Sequence, residues 1–305
     1  MSRTAEPIQV PSGARWAARP RLVAILSVAI LAGLGWIYLG LMMAGALQTG
    51  AAASLGPGMG LLDLLGLAGG GDGFGRALVE VLCRPTFGSA GGAWDATQFA
   101  LVVVMWSAMA LAMMLPTAGA MILAYAEIAA TAARKGESVV SPVVLTAGYA
   151  AVWLGFALAA SLLQWGLARA SLVDPAMASA SPLFSGAVFI GAGLYQFSGL
   201  KHACATRCQR PFPFFFSRWT DRASGVFRLG LRQGVYCLGC CWAMMLAMFA
   251  VGVMNVVWMA ALGTIMAIEK LSVTTRFSRA IGVIFIAIGA AFIVTSVIAQ
   301  WPARA

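Results

Sequence analysis

Residues 98–125, QFALVVVMWSAMALAMMLPTAGAMILAY, run for 28 positions without a charged side chain. About 20 helical residues cross the ~30 Å hydrocarbon layer of a bilayer, so this stretch is long enough to span a membrane. It lacks the alternation of apolar and polar residues that is typical of a strand in a membrane barrel. The stretch therefore predicts a transmembrane helix. Pro116 within it predicts a kink that frees a backbone carbonyl, which then needs a polar partner.

Similar uncharged runs follow one another along the whole chain, and the composition agrees with them. Hydrophobic residues make up 61% of the 305 residues and charged residues 10%, with a mean hydropathy of +0.88. A soluble domain carries about 25% charged residues, so a soluble enzyme is excluded, and the hydrophobicity excludes a disordered chain. The fold class is predicted as an all-α, polytopic helical membrane bundle. The other runs are 22–47, 143–168, 183–200, 233–268 and 280–301.

The run at 233–268 has 36 residues, which is long for one span and short for two. A hairpin turning near 252–255 gives about seven transmembrane helices, whereas a single helix gives six. Lys and Arg are retained on the cytoplasmic side of membrane proteins. The hairpin places 16 of the 20 basic residues in cytoplasmic segments and the single helix places 14 there. The charge distribution therefore favours seven spans.

The same distribution predicts the domain organisation. Residues 1–21 form a cytoplasmic N-terminal tail, and 22–301 form a single helical membrane domain. Residues 48–97 form a Gly-rich extracytoplasmic loop that contains Cys83, and 201–232 form a basic, Cys-containing cytoplasmic loop. The net charge of +10 thus reports membrane orientation and does not indicate a nucleic-acid partner. The sequence contains no nucleotide-binding motif, so ATP-driven transport is not expected, and it shows no catalytic constellation, which leaves it open whether the protein is an enzyme.

Five of the six cysteines lie between positions 204 and 241, and the only histidine, His202, stands beside them. They occur in two motifs, KHACATRC at 201–208 and YCLGCCW at 236–242. Thiols stay reduced in the cytoplasm, so a disulfide framework is disfavoured. The cluster therefore indicates metal or redox chemistry.

Helical spacing arranges these sulfur atoms on faces. Cys237 and Cys241 are four residues apart, and Met244 and Met248 continue the same face, although packing would also explain the methionines. Thiolate and thioether sulfur are soft donors that select Cu(I) over hard cations. Cys204 and Cys208 form a second pair with a spacing of four. If the fourth and fifth spans pack side by side, the two groups come within the roughly 7 Å Cα separation that allows bridging.

Three segments carry a family resemblance: MWSAMALAMMLP, LKHACATRCQRPFPFFFSRW and GVYCLGCCWAMMLAMFAVGVMNVVWMAALGTIMAIEK. Over about residues 98–270, the chain resembles a bacterial family of predicted metal-binding integral membrane proteins, catalogued as domain of unknown function 2182. Some members of that family are labelled copper chaperones. The resemblance implies metal binding by Cys204, Cys208, Cys237, Cys240 and Cys241, and His202 lies inside the motif.

The leading hypothesis is a membrane metal-handling protein that binds Cu(I), or zinc as a second choice, through the Cys/Met cluster. It would deliver the ion to a membrane metalloenzyme or move it across the bilayer of the bacterial inner membrane. The alternative is an accessory or assembly subunit of a larger membrane complex, with static cysteines. A third hypothesis is a thiol–disulfide oxidoreductase that uses Cys237 and Cys240, which have C-x-x-C spacing but lack a thioredoxin-like context.

We expect the N-terminus and the segment containing Cys204 and Cys208 to be cytoplasmic, because these two segments hold 11 of the 20 basic residues. Reporter fusions and thiol labelling from each side of the membrane measure this orientation. Labelling of either segment from the outer side would contradict it.

Overall fold

The computed structural model of the protein describes residues 20–48, 94–173, 179, 181–272 and 274–300, with the backbone alone at 43–48 and 300. Most of the predicted tail and of the Gly-rich loop, including Cys83, lies outside these residues. The described chain forms ten α-helices and no β-strand. The helices are α1 (Pro20–Gln48), α2 (Ala96–Arg134), α3 (Pro142–Arg169), α4 (Pro182–Tyr195), α5 (Gly199–Gln209), α6 (Pro211–Phe216), α7 (Ala223–Leu246), α8 (Met248–Val251), α9 (Val256–Leu271) and α10 (Thr275–Gln300).

Five helical segments of the described chain are long and apolar enough to cross a membrane. They are α1, α2, α3, α10 and the continuous stretch of α7 and α8. The pair α4 and α5 counts as a sixth if it is one broken span, since its two axes differ by 63°. The prediction of an all-α, multi-pass membrane bundle is confirmed. Helix α9, with 16 residues, is shorter than the ~20 that a full span takes.

The long uncharged run at 233–268 is divided at the predicted turn. Helix α8 ends at Val251, and Gly252 has a φ of 101°, a left-handed conformation that favours glycine. Asn255 then caps α9, because its side-chain oxygen accepts a hydrogen bond from the backbone N–H of Trp258 at 3.2 Å. The predicted break at 252–255 is therefore confirmed.

The segment 201–232, predicted as a loop, is largely helical in the structure. It contains α5, α6 and the beginning of α7 at Ala223, ten residues before the predicted run. Arg228 and Arg232 interrupt the hydropathy of this region, but they do not interrupt the helix. The predicted run at 183–200 is shorter than expected, because α4 ends at Tyr195 and Ser198 caps α5. Hydropathy indicates which residues lie in the apolar layer of the membrane, and a helix can continue beyond that layer.

Pro116 lies inside α2 without ending the helix. A proline at this position removes the donor for the carbonyl four residues earlier, which belongs to Ala112. The indole N–H of Trp36, on α1, donates to that carbonyl at 3.0 Å. The carbonyl that the sequence predicts to be freed thus has a partner from a neighbouring helix.

Glycines bring α3 and α7 into close contact. A Cβ atom on Gly148 would collide with the carbonyl oxygen of Phe227, and one on Gly230 would collide with that of Leu145. Small residues at such crossings let two membrane helices approach until their backbones touch. This α3–α7 contact is among the most extensive in the described chain, together with α4–α10 and α1–α2.

We expect Gly148→Ala to lower the free energy of unfolding by about 1–3 kcal/mol, because the added methyl group overpacks the α3–α7 contact. The matched control is Gly155→Ala on the same helix, where a Cβ would meet nothing within 4 Å. Alanine there should leave stability unchanged or raise it slightly. Thermal unfolding in detergent measures the stability of both variants. Equal melting temperatures for Gly148→Ala and Gly155→Ala would contradict the close contact.

Candidate metal centre

Three cysteine thiols from two helices converge in the structure. Cys208 lies on α5, and Cys237 and Cys240 lie one turn apart on α7. Their Sγ atoms all lie within 4.8 Å of one another. Cys237 and Cys240 are buried, and Cys208 is half-buried. The convergence that the sequence predicts between the two cysteine motifs is therefore observed. We refer to these three residues as the three-thiol site.

The size of the three-thiol site suits one soft metal ion. Metal–thiolate bonds of about 2.3 Å, as for zinc, would place three sulfur atoms about 4 Å apart around an ion in their plane. The observed limit of 4.8 Å is close to that spacing. Three sulfur donors without a carboxylate form a set that selects Cu(I) or Zn²⁺ and disfavours Mg²⁺ and Ca²⁺. The residues present thus fit the metals that the sequence indicates.

The position of Cys208 depends on how closely α5 approaches α7. A Cβ atom on Gly239 would lie 2.6 Å from the Sγ atom of Cys204, so glycine at this position lets α5 lie against α7 without displacing that side chain. The hydroxyl of Tyr195, at the end of α4, donates to the Gly239 carbonyl. The bend between α4 and α5 is therefore fastened to the same residue of α7, and this contact directs Cys208 toward the other two thiols.

The two remaining predicted cysteines lie beside the three-thiol site. The Sγ atom of Cys241 is 3.3 Å from that of Cys240, and its side chain is buried. Cys204 is half-buried against Gly239. The structure thus combines Cys237 with Cys240, at a spacing of three, where the sequence analysis emphasised Cys237 with Cys241. The described cysteines are all free thiols.

The other predicted ligands lie elsewhere on the same helices. His202 is half-buried on α5 and belongs to no described group of three His, Cys, Asp or Glu ligand atoms within 4.8 Å of one another. Met244 and Met248 are buried in the apolar core. Met244 lies near the end of α7, and Met248 lies on α8, which continues the same apolar stretch after Ala247.

Two polar side chains, Tyr149 and Lys270, contact Cys237, and neither belongs to the cysteine motifs. The hydroxyl of Tyr149 on α3 lies 2.9 Å from the Cys237 Sγ atom. The Lys270 ammonium donates to the same sulfur at 3.0 Å and also to the Thr117 hydroxyl. In the sequence, the one signal for Lys270 is its place in the adjacent charges Glu269 and Lys270 at the end of an apolar run.

Glu269 and Lys270 are adjacent in sequence, but Glu269 does not form its salt bridge with Lys270. The Glu269 carboxylate instead accepts two hydrogen bonds from the Lys201 ammonium, at 2.8 and 3.0 Å. Lys201 is 1% exposed and Glu269 is 8% exposed, and this is the one salt bridge of the described residues. Gln209, at the other end of α5, donates to the carbonyls of Glu269 and Ser272 at 2.8 Å each. Polar contacts thus hold both ends of α5 to α9.

A small cavity of about 40 Å³ adjoins the three-thiol site on the side of Cys208. Its lining includes Thr117, Tyr149, Lys270 and the buried side chain of Gln233. Both polar atoms of that amide lack a hydrogen-bond partner in the described chain. Buried water needs roughly 10–15 Å³ and two or more polar partners, and this cavity satisfies both conditions. The cavity between α2, α3, α5, α7 and α9 can therefore hold a water molecule beside Cys208.

The family of this membrane protein follows from comparison with known sequences. A family model described as a copper chaperone, PpoB2, matches residues 103–292, which is more than half of the chain. The chain belongs to this family. The matched range includes the three-thiol site together with Tyr149, Lys201 and Lys270. No curated protein and no solved structure matches the chain.

We expect Lys201→Met to lower the free energy of unfolding by about 3–5 kcal/mol, because it leaves the Glu269 carboxylate buried without its partner. The double variant Lys201→Met/Glu269→Leu removes both charges and should lose much less stability than Lys201→Met alone. Thermal unfolding of both variants in detergent measures the difference. A double variant as unstable as the single one would contradict a charge-driven effect.

Proposed function

We propose that this protein binds Cu(I) at the three-thiol site and hands it on by exchange of sulfur ligands. The observation that carries the proposal is the convergence of Cys208, Cys237 and Cys240 within 4.8 Å, in a member of a copper chaperone family. Copper is the cargo in this scheme. The receiver is a membrane metalloenzyme or a site on the other side of the bilayer.

The donor set favours Cu(I) over Zn²⁺. Both ions bind thiolate, but structural zinc sites are almost always tetrahedral with four ligands. Three thiolates in a triangle satisfy Cu(I), which accepts a trigonal environment. Zn²⁺ would need a further donor, such as Cys241, whose sulfur lies 3.3 Å from that of Cys240. Zinc is thus the second candidate in this proposal.

Transfer requires no bond-making catalysis and no change in the charge of the copper ion. Each thiol that binds the ion loses its proton, and each that releases it regains one. Cys241, beside Cys240, and Cys204, four residues before Cys208, supply further sulfur next to the three-thiol site. An ion can therefore pass from one sulfur atom to the next while it keeps at least one sulfur ligand.

The location and the partners form part of the same proposal. We place the protein in the bacterial inner membrane with a cytoplasmic N-terminus, where reduced thiols are available to take up Cu(I). The five to six helices that can cross a membrane support a multi-pass protein. The competing proposal is an accessory or assembly subunit, in which the same cysteines are structural.

Purified protein in detergent, kept reduced and incubated with Cu(I), should retain about one copper ion per chain, because one set of three thiols fits one ion. The double variant Cys237→Ser/Cys240→Ser should lose more than about tenfold in copper affinity, because a hydroxyl is a poor donor to a soft ion. Metal analysis after competition with a Cu(I) chelator measures both values.

The matched control is Cys204→Ser, which removes a thiol from α5 outside the three-thiol site and should keep the copper. If the double variant retains its full complement, the site is misplaced. If the wild-type protein binds neither copper nor zinc, the metal-handling proposal fails and the accessory-subunit proposal takes its place.

A further inference from the structure

The ammonium group of Lys270 lies directly against the three-thiol site. Its Nζ atom is 3.0 Å from the Sγ atom of Cys237 and 3.9 Å from the Sδ atom of Met114, and it also donates to the Thr117 hydroxyl. Each of these acceptors is uncharged when the thiol is protonated. The side chain is half-buried, so bulk water screens its charge only in part.

No carboxylate neutralises this lysine in the described chain. Its sequence neighbour Glu269 is held by Lys201 through both carboxylate oxygens, and that pair is the one salt bridge of the described residues. Burying a charge in a membrane protein is costly, and such charges normally pair with an opposite one or serve a function. The positive charge of Lys270 is therefore directed at the sulfur atoms.

We propose that Lys270 is a specificity-determining residue that makes the three-thiol site prefer a monovalent metal ion over a divalent one. The inference rests on the proposed function, because it concerns the ion that the three thiols hold. An ion bound to Cys237 at about 2.3 Å lies at most about 5.3 Å from the Lys270 ammonium, whose nitrogen is 3.0 Å from that sulfur. Coulomb repulsion at a fixed distance is proportional to the charge of the ion. Zn²⁺ therefore experiences twice the repulsion that Cu(I) experiences.

The attraction between Lys270 and the thiolates does not cancel this preference. The same three sulfur atoms lose their protons whichever metal binds, so their interaction with the ammonium is the same in both complexes. Only the repulsion between ammonium and metal differs, and it disfavours the divalent ion. Three thiolates with Cu(I) carry a charge of two minus, and the ammonium offsets one of these charges inside the helix bundle.

Substitution of Lys270 tests the assignment on the full-length protein in detergent, with Cu(I) and Zn²⁺ as separate probes. Affinities for each ion come from competition with chelators under a reductant that binds no metal. In Lys270→Met the ratio of zinc to copper affinity should rise by on the order of tenfold or more, because one unit of repulsion is removed. Lys270→Gln is the second neutral variant and should behave in the same way.

The matched control is Lys270→Arg, which keeps the charge and should keep the wild-type ratio. A lysine with a merely structural role would not change the ratio when neutralised, whatever it did to stability. If the wild-type protein binds copper and the ratio is unchanged in both neutral variants, the selectivity role is overturned while the proposed function stands. If the ratio of zinc to copper affinity changes as much in Lys270→Arg as in the neutral variants, the selectivity role is also overturned. A wild-type protein that binds neither metal overturns both.

Discussion

The contact between α3 and α7 at Gly148 and Gly230 determines where the chemistry of this protein can occur. Backbone touches backbone at this crossing, and the face of α7 that begins with Gly230 continues through Gly234 to Cys237 at helical spacing. Tyr149 follows Gly148 directly, and its hydroxyl reaches the Cys237 sulfur at 2.9 Å. The glycine-lined crossing in this way becomes one wall of the three-thiol site. A larger residue at the crossing would move that wall and the tyrosine together.

The second wall of the three-thiol site is helix α5, which polar contacts attach to α9. Helix α5 carries Cys208, and it is joined to α9 by the buried Lys201–Glu269 pair and by Gln209. Charges in an apolar bundle need partners, so Lys201 and Glu269 specify which helices lie together. The pairing also leaves Lys270 without the carboxylate next to it in sequence. The ion pair thus has two effects on the site, because it positions one thiol and leaves one cation facing the sulfur atoms.

Hydropathy was sufficient to predict much of the fold, because in a bilayer the length of an apolar run and the charges at its ends are direct physical requirements. The length of the run at 233–268 and the distribution of basic residues favoured the break at 252–255, where Gly252 and Asn255 end one helix and begin the next. Hydropathy did not predict that α7 begins at Ala223, since a helix that leaves the apolar layer keeps its hydrogen bonds while gaining charged residues.

The candidate site was predictable only as a cluster of cysteines. Cys240 and Cys241 lie three and four residues after Cys237, so both fall on its helical face, and the position of α5 decides between them. That position depends on contacts distant in sequence. Tyr149 lies 88 residues and Lys270 lies 33 residues from Cys237, and no pattern within a single helix links them.

The two walls differ in a way that bears on copper transfer. Cys237 and Cys240 lie on α7, whose contact with α3 is apolar and backbone-close, so separating these two helices would open the core. Cys208 lies on α5, which follows a 63° bend and ends beside the small cavity. Ligand exchange requires that one donor withdraw while the others keep the ion. If copper is passed on as proposed, the thiol that can leave at the lowest cost is Cys208, because its neighbour Gln209 lines the cavity and water there can replace the hydrogen bonds from Gln209 to the end of α9.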